Sequence, residues 1–156
     1  MNYQIEALDP KQFEHLFGLS NAELPLVQAQ RSVVTACPGS PCRVSLADAE
    51  VEETVILVNY EYQSGDSPYR ASHAVFVREN ATQAVPAINA VPLVMTSRLM
   101  SIRAFDANDC MVDADAVDGP ELETAIPKML SNDAVEYLHL HYAKPGCFAA
   151  KVVRVT

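Results

Sequence analysis

At 156 residues the chain has the length of one domain, and 49% hydrophobic with 20% charged residues is the composition of a protein that buries a core. At that size folding hides roughly 70% of the unfolded surface, so neither a disulfide nor a metal is required for folding. The formal charge of -9, with no cluster of Lys and Arg, sets the long-range field against phosphate backbones and anionic lipid, which argues against nucleic-acid and membrane partners.

The opening Met1-Asn2-Tyr3-Gln4-Ile5-Glu6 lacks a basic and then apolar leader, and apolar runs such as Val55-Ile56-Leu57-Val58 are too short to span a bilayer. A soluble, cytoplasmic protein is expected. A short helix is predicted around Pro10 to Phe17. Ser20-Asn21-Ala22-Glu23 then has the spacing of a capping box, and Leu24, Val27, Ala29 and Val33 or Val34 follow at roughly helical intervals. These predict a second helix from about Asn21 to Val34, with Pro25 tolerated in its first turn.

Cys37-Pro38-Gly39-Ser40-Pro41-Cys42 is a rigid connector, because two prolines and a glycine exclude regular structure. Beyond it, Thr54 to Tyr62 and Ser72 to Glu79 are rich in β-branched and aromatic residues and flank a turn region, as two strands would. A second strand pair is expected at Leu99 to Asp106 and Met111 to Val117, after the proline-punctuated stretch from Val85 to Pro92. Gly119-Pro120 opens a helix through about Leu130, bent or shortened by Pro127. Val135 to Tyr142, the Lys144-Pro145-Gly146 turn and Cys147 to Val155 read as a third hairpin. With no repeat or composition shift, residues 1–156 read as a single α+β domain. Its sheet should be antiparallel or mixed, with about six strands in hairpins and helices on one face.

Alternation along Tyr137-Leu138-His139-Leu140-His141-Tyr142 puts His139 and His141 on one side of a strand and the leucines on the other. Two imidazoles so placed can share a metal, with His73 and a carboxylate or Cys147 completing the set, or can simply meet water or Tyr137. Cys147, after a Pro-Gly turn, is the thiol placed best for nucleophilic work beside His139 or His141. Cys37 and Cys42 are spaced loosely for zinc and wrongly for a redox pair, and the four cysteines, Cys110 included, read as buried free thiols.

Cations are scarce here, so their placement is informative. Arg43, Arg70 and Arg103, with Tyr60, Tyr69 and His73 as neutral hydrogen-bond partners, form a set that could hold a carboxylate or phosphate; Arg78 lies on a predicted strand nearby. Each arginine can equally pair with one of the 20 acidic residues. The acidic stretch from Asp106 to Glu123 lacks the glycine a calcium loop needs and reads as a solvated edge. Dinucleotide, Walker, nucleophile-elbow and zincin motifs are missing, and no cofactor is implied.

Pro41-Cys42-Arg43-Val44-Ser45-Leu46, Asn59-Tyr60-Glu61, Ser67 to Arg78, Arg103-Ala104-Phe105-Asp106, His139-Leu140-His141 and Pro145 to Ala150 together resemble the bacterial family catalogued as domain of unknown function 1203. The resemblance implies a bacterial protein built as one self-contained domain and carries no activity. The expectation from the residues is a small-molecule domain for an anionic metabolite, catalytic or not, in which Arg43, Arg70 and Arg103 meet His139 and His141. Two alternatives stand beside it: a metal site at the two histidines, and a non-catalytic interaction module that meets a protein partner or a second copy. Nothing in the sequence indicates self-association, which stays open.

Overall fold

The computed structural model describes all 156 residues, Met1–Thr156. Contacts sort the chain into two compact units, one made of Met1–Glu6, Glu61–Ser72 and Val85–Thr156, the other of Ala7–Tyr60 and His73–Ala84. The fold is broadly α+β, with eight strands in two antiparallel sheets instead of about six in one. No helix is long and apolar enough to cross a membrane.

The first unit carries a five-stranded sheet formed by β1 (Asn2–Glu6), β5 (Leu99–Phe105), β6 (Met111–Asp118), β7 (Tyr137–Tyr142) and β8 (Phe148–Val155), in the order β1-β8-β7-β5-β6. α1 is a single turn, Leu93–Thr96, and α2 spans Leu122–Leu130. One face of the sheet presents Met100, Ile102, Leu138, Leu140 and Val152, all fully buried. α2 packs against β1, β5, β6 and β7 and buries Leu122, Ile126, Met129 and Leu130. Each such side chain taken from water contributes about 1.5–3 kcal/mol, and this layer is the unit's core. Arg154 closes the helix, donating to the carbonyls of Leu130 and Asn132 at 2.7 and 3.0 Å.

The sheet's two edges are protected in different ways. Tyr3 on β1 exchanges backbone hydrogen bonds with Asn89, whose Oδ1 and N–H both serve it, so the Pro86–Asn89 segment covers that edge. On β6 the carboxylates of Asp113 and Asp115 accept from the N–H groups of Ala114 and Ala116, at 2.9 and 2.8 Å. An edge whose donors are already engaged, and which is acidic as well, is a poor template for another strand.

The second unit carries most of the sheet β2-β3-β4, from β2 (Ala29–Val33), β3 (Thr54–Gln63) and β4 (Ala71–Arg78), while the end of β3 from Glu61 and the first two residues of β4 belong to the first unit. Its core gathers Phe13, Leu16, Leu24, Ile56, Val75 and Val77. The helix predicted from Asn21 to Val34 does not form. Its capping box does: Ser20 N–H donates to Glu23 Oε2 at 2.7 Å, and Glu23 N–H to Ser20 Oγ at 3.2 Å. The box starts only a 3-10 turn, Leu24–Val27, which Gln28 ends in the left-handed region at φ 56°. Ala29–Val33 then pairs with Val58 to Thr54 as a strand. The segment Pro10 to Phe17 is likewise two 3-10 turns, Pro10–Gln12 and Glu14–Gly18.

Candidate functional site

β7 pairs with β5 on one side and β8 on the other, and the registers place Arg103, His139 and Lys151 directly opposite one another. Cross-strand partners share a face, so an arginine, an imidazole and an ammonium form one row across three strands, on the face opposite α2. Ser101 and His141 lie one step along, and Phe105 and Tyr137 one step the other way.

Aromatic rings surround the row. Tyr62 stacks on Phe148 at 5.5 Å and meets His141 edge-on at 4.8 Å. Phe105 and Tyr137 stack at 5.3 Å and lie 4.9 and 5.1 Å from the His139 ring. All six residues of β7 are buried. His139 is 3% exposed, and its Nδ1 has no hydrogen-bond partner. Burial foremost, then His141, Lys151 and Arg103, lower its pKa from 6.5 to about 3, so the row holds a neutral imidazole between two cations. His141 is anchored differently, through Nδ1 to the Gly146 carbonyl at 3.0 Å.

The two cations are fixed in opposite directions. Arg103 Nε donates to Ser101 Oγ at 3.3 Å, leaving both terminal nitrogens of its fork for other acceptors. Lys151 Nζ lies 4.3 Å from the Tyr137 ring centroid. Tyr137 is itself locked: its hydroxyl donates to Asp109 at 2.6 Å and accepts from Gln63 Nε2 at 2.8 Å. Burial first, then the Asp109 hydrogen bond, push its pKa up to about 12. Ser67 Oγ donates to the Asp109 carbonyl, and Gly65 lies so close to Asp109 that a Cβ would collide with its side chain.

Arg103 differs from the other arginines in its partners. Arg31, Arg98 and Arg154 each bind backbone carbonyls, and Arg43, 1% exposed, donates to the Pro41 carbonyl. Arg70 pairs with Glu61 at 3.2 Å and Arg78 with Glu53 at 3.1 Å. Only Arg103 of the seven has neither a carbonyl nor a carboxylate. Glu6 stands opposite Lys151 on β1, yet the two form no ion pair.

The residues singled out from sequence are therefore distributed. Arg103, His139 and His141 share a sheet face, and Tyr69 meets Phe105 edge-on at 6.2 Å while remaining 41% exposed. Arg70 belongs to the same unit, with its guanidinium held by Glu61 on a surface where both side chains are about half exposed. Arg43, Tyr60 and His73 belong to the second unit. There Tyr60 packs on Phe13 at 5.8 Å, and His73 Nδ1 lies 3.1 Å from the Ala74 carbonyl. Cys147 is buried at the start of β8's hairpin arm, and none of the four cysteines is in a disulfide. No three His, Cys, Asp or Glu side chains come together as a metal-ligating group, so His139 and His141 lack the third ligand expected of that alternative. Lys151 and Tyr62 are the members that sequence reasoning passed over, and Tyr137 was named there only as a neighbour of the histidines.

A groove of about 530 Å³ runs between β6 and α2, lined by Asp113, Asp115, Glu121, Thr124, Lys128 and Met129 among others. It shares no residue with the Arg103 row, and its acidic lining disfavours anions. A family model described as "Protein of unknown function (DUF1203)" matches residues 39–154. No curated protein and no solved structure matches the chain.

Proposed function

Since the chain belongs to the DUF1203 family of proteins of unknown function, we propose from its own residues that it binds a small anionic molecule at the Arg103 end of the Arg103–His139–Lys151 row. The observation that carries this reading is the pair of unmatched cations. In a protein of net charge -9, with 20 acidic residues, Arg103 and Lys151 flank one buried imidazole and neither meets a carboxylate. Every other arginine bonds a carbonyl or carboxylate, as arginines held for structural reasons do. A guanidinium with its fork open, backed by an ammonium and aromatic walls, is the arrangement that recognises carboxylate or phosphate. Because the whole-molecule field repels anions, recognition must come from this short-range contact, and binding should weaken with salt.

Calorimetric titration with a panel of small carboxylates and phosphates at low ionic strength tests the reading. At least one anion should bind with salt-sensitive affinity, and Arg103→Gln should weaken it about tenfold or more, the loss expected for one charge-assisted bidentate contact. Arg70→Gln should leave it unchanged, because Glu61 already occupies that guanidinium. A panel with no binder, or binding indifferent to Arg103→Gln, overturns the proposal.

A further inference from the structure

We infer that the second unit holds a separate binding site, a small cavity that takes a protonated amine carried on an apolar body. The cavity, of about 320 Å³, is lined by the 3-10 turns that contain Pro10 and Glu14 and by the end of β4 with the turn that follows it. It shares no residue with the Arg103 row. Its volume falls at the small end of the roughly 300–1,000 Å³ of pockets that hold small molecules.

The base of the cavity is apolar and its rim is polar. Phe13 and Val77 belong to the unit's core, and Phe17, four residues after Phe13, packs against that core while remaining half-buried. Glu14 and Asn80, also in the lining, are exposed, so solvent reaches the space beside them. An apolar base with a few polar groups at its margin is the general form of a small-molecule site.

Charge decides which molecule fits. Arg78 lines the cavity too, but its Nη1 donates to Glu53 Oε2 at 3.1 Å, so that cation is already balanced. Glu14 is not: its carboxylate meets no cation and accepts no hydrogen bond from the chain. Asn80, in the left-handed region at φ 56°, has a side-chain amide equally without a protein partner. The unmatched groups are therefore a carboxylate and an amide oxygen, two acceptors that one ammonium, with three donors, satisfies. Phe17 contributes an aromatic ring, which favours a cation over a neutral group. The net charge of -9 attracts cations from a distance, so long-range and local electrostatics agree at this site.

Phenethylamine, phenethyl alcohol and hydrocinnamate share an apolar body and differ in head group, and calorimetric titration of each into the full chain decides the matter. The amine should bind about tenfold or more tighter than the alcohol, the difference expected for one charge-assisted contact, and the carboxylate should bind least. Glu14→Gln should bring the amine down to the affinity of the alcohol, whereas Phe17→Ala should weaken both. Asn80→Gly, which suits the left-handed backbone and removes the amide, should weaken the amine about threefold. Glu14 is exposed, so its substitution leaves the fold intact, which circular dichroism melting checks. An alcohol or carboxylate that binds as tightly as the amine, amine binding indifferent to Glu14→Gln, or no binding by any of the three overturns the inference.

Discussion

Acidification should destabilise this protein through one imidazole. His139 has a pKa of about 3 in the folded state, against 6.5 for an exposed histidine. The unfolded chain therefore binds a proton at this ring as pH falls below about 7, and the folded protein refuses it until about pH 3. Stability is full above the unfolded value and falls with pH across that window, by about 1.4 kcal/mol per unit once the unfolded ring is mostly protonated. From pH 7 to pH 5 the linkage integrates to about 2 kcal/mol. With a urea slope of about 2 kcal/mol/M, the unfolding midpoint should drop by about 1 M. Carboxylates also titrate in acid, so the decisive comparison is with His139→Gln, which removes the ring and leaves the rest. Urea unfolding at pH 7 and pH 5 should show a pH-dependent loss smaller by about 2 kcal/mol in the variant. Parallel losses in both proteins would refute the reasoning, because His139 would then not be held neutral by its surroundings.

Other consequences follow from the same geometry. Tyr137→Phe deprives Asp109 and Gln63 of their shared hydroxyl and should cost about 1–3 kcal/mol by chemical denaturation. In the wild-type protein, ultraviolet titration should find one tyrosine ionising at about pH 12, absent from the variant. Gly119→Ala would drive a Cβ into the backbone of Met95 and Thr96, which cannot swing aside. It should destabilise by about 1–3 kcal/mol, read as a lowered melting temperature. Arg154→Ala uncovers the carbonyls at the end of α2 and should cost about 1 kcal/mol, whereas Arg70→Ala breaks an exposed pair and should cost less than that.

Strand content was legible where β-branched and aromatic residues cluster. β3 and β4 match the segments Thr54 to Tyr62 and Ser72 to Glu79 within a residue or so, and both later hairpins fall where their turns place them. Composition misled around residues 21–34. A formed capping box and helical spacing gave way to pairing with β3, because Gln28 turns left-handed and Leu24, Ala29 and Val34 are the buried positions. Spacing in the chain says nothing about which of these competing patterns tertiary contacts reward. β1 was invisible for a similar reason, since a five-residue edge strand has too little pattern to announce itself.

At the candidate site, sequence alternation put His139 and His141 on one side of β7, as the strand pairing does, and Arg103 shares that face. Lys151 was out of reach because of one residue. In an unbroken hairpin closed by Tyr142 and Cys147, His139 would face Ala150, and Lys151 would project to the helix-covered side. The irregularity between Leu140 and His141 shifts the register so that His139 meets Lys151 instead. Burial was equally unreadable. Two histidines alternating with leucines resemble an amphipathic strand with one wet face, yet every residue of β7 is buried, because Tyr62 and the aromatic residues of neighbouring strands cover that side.

A crystal structure grown with the tightest-binding anion of the calorimetric panel bears on Arg103 itself. The predicted density is that anion on the Arg103 fork. An empty fork in crystals whose lattice leaves it open, with the anion bound elsewhere or nowhere, would contradict the anion-binding reading.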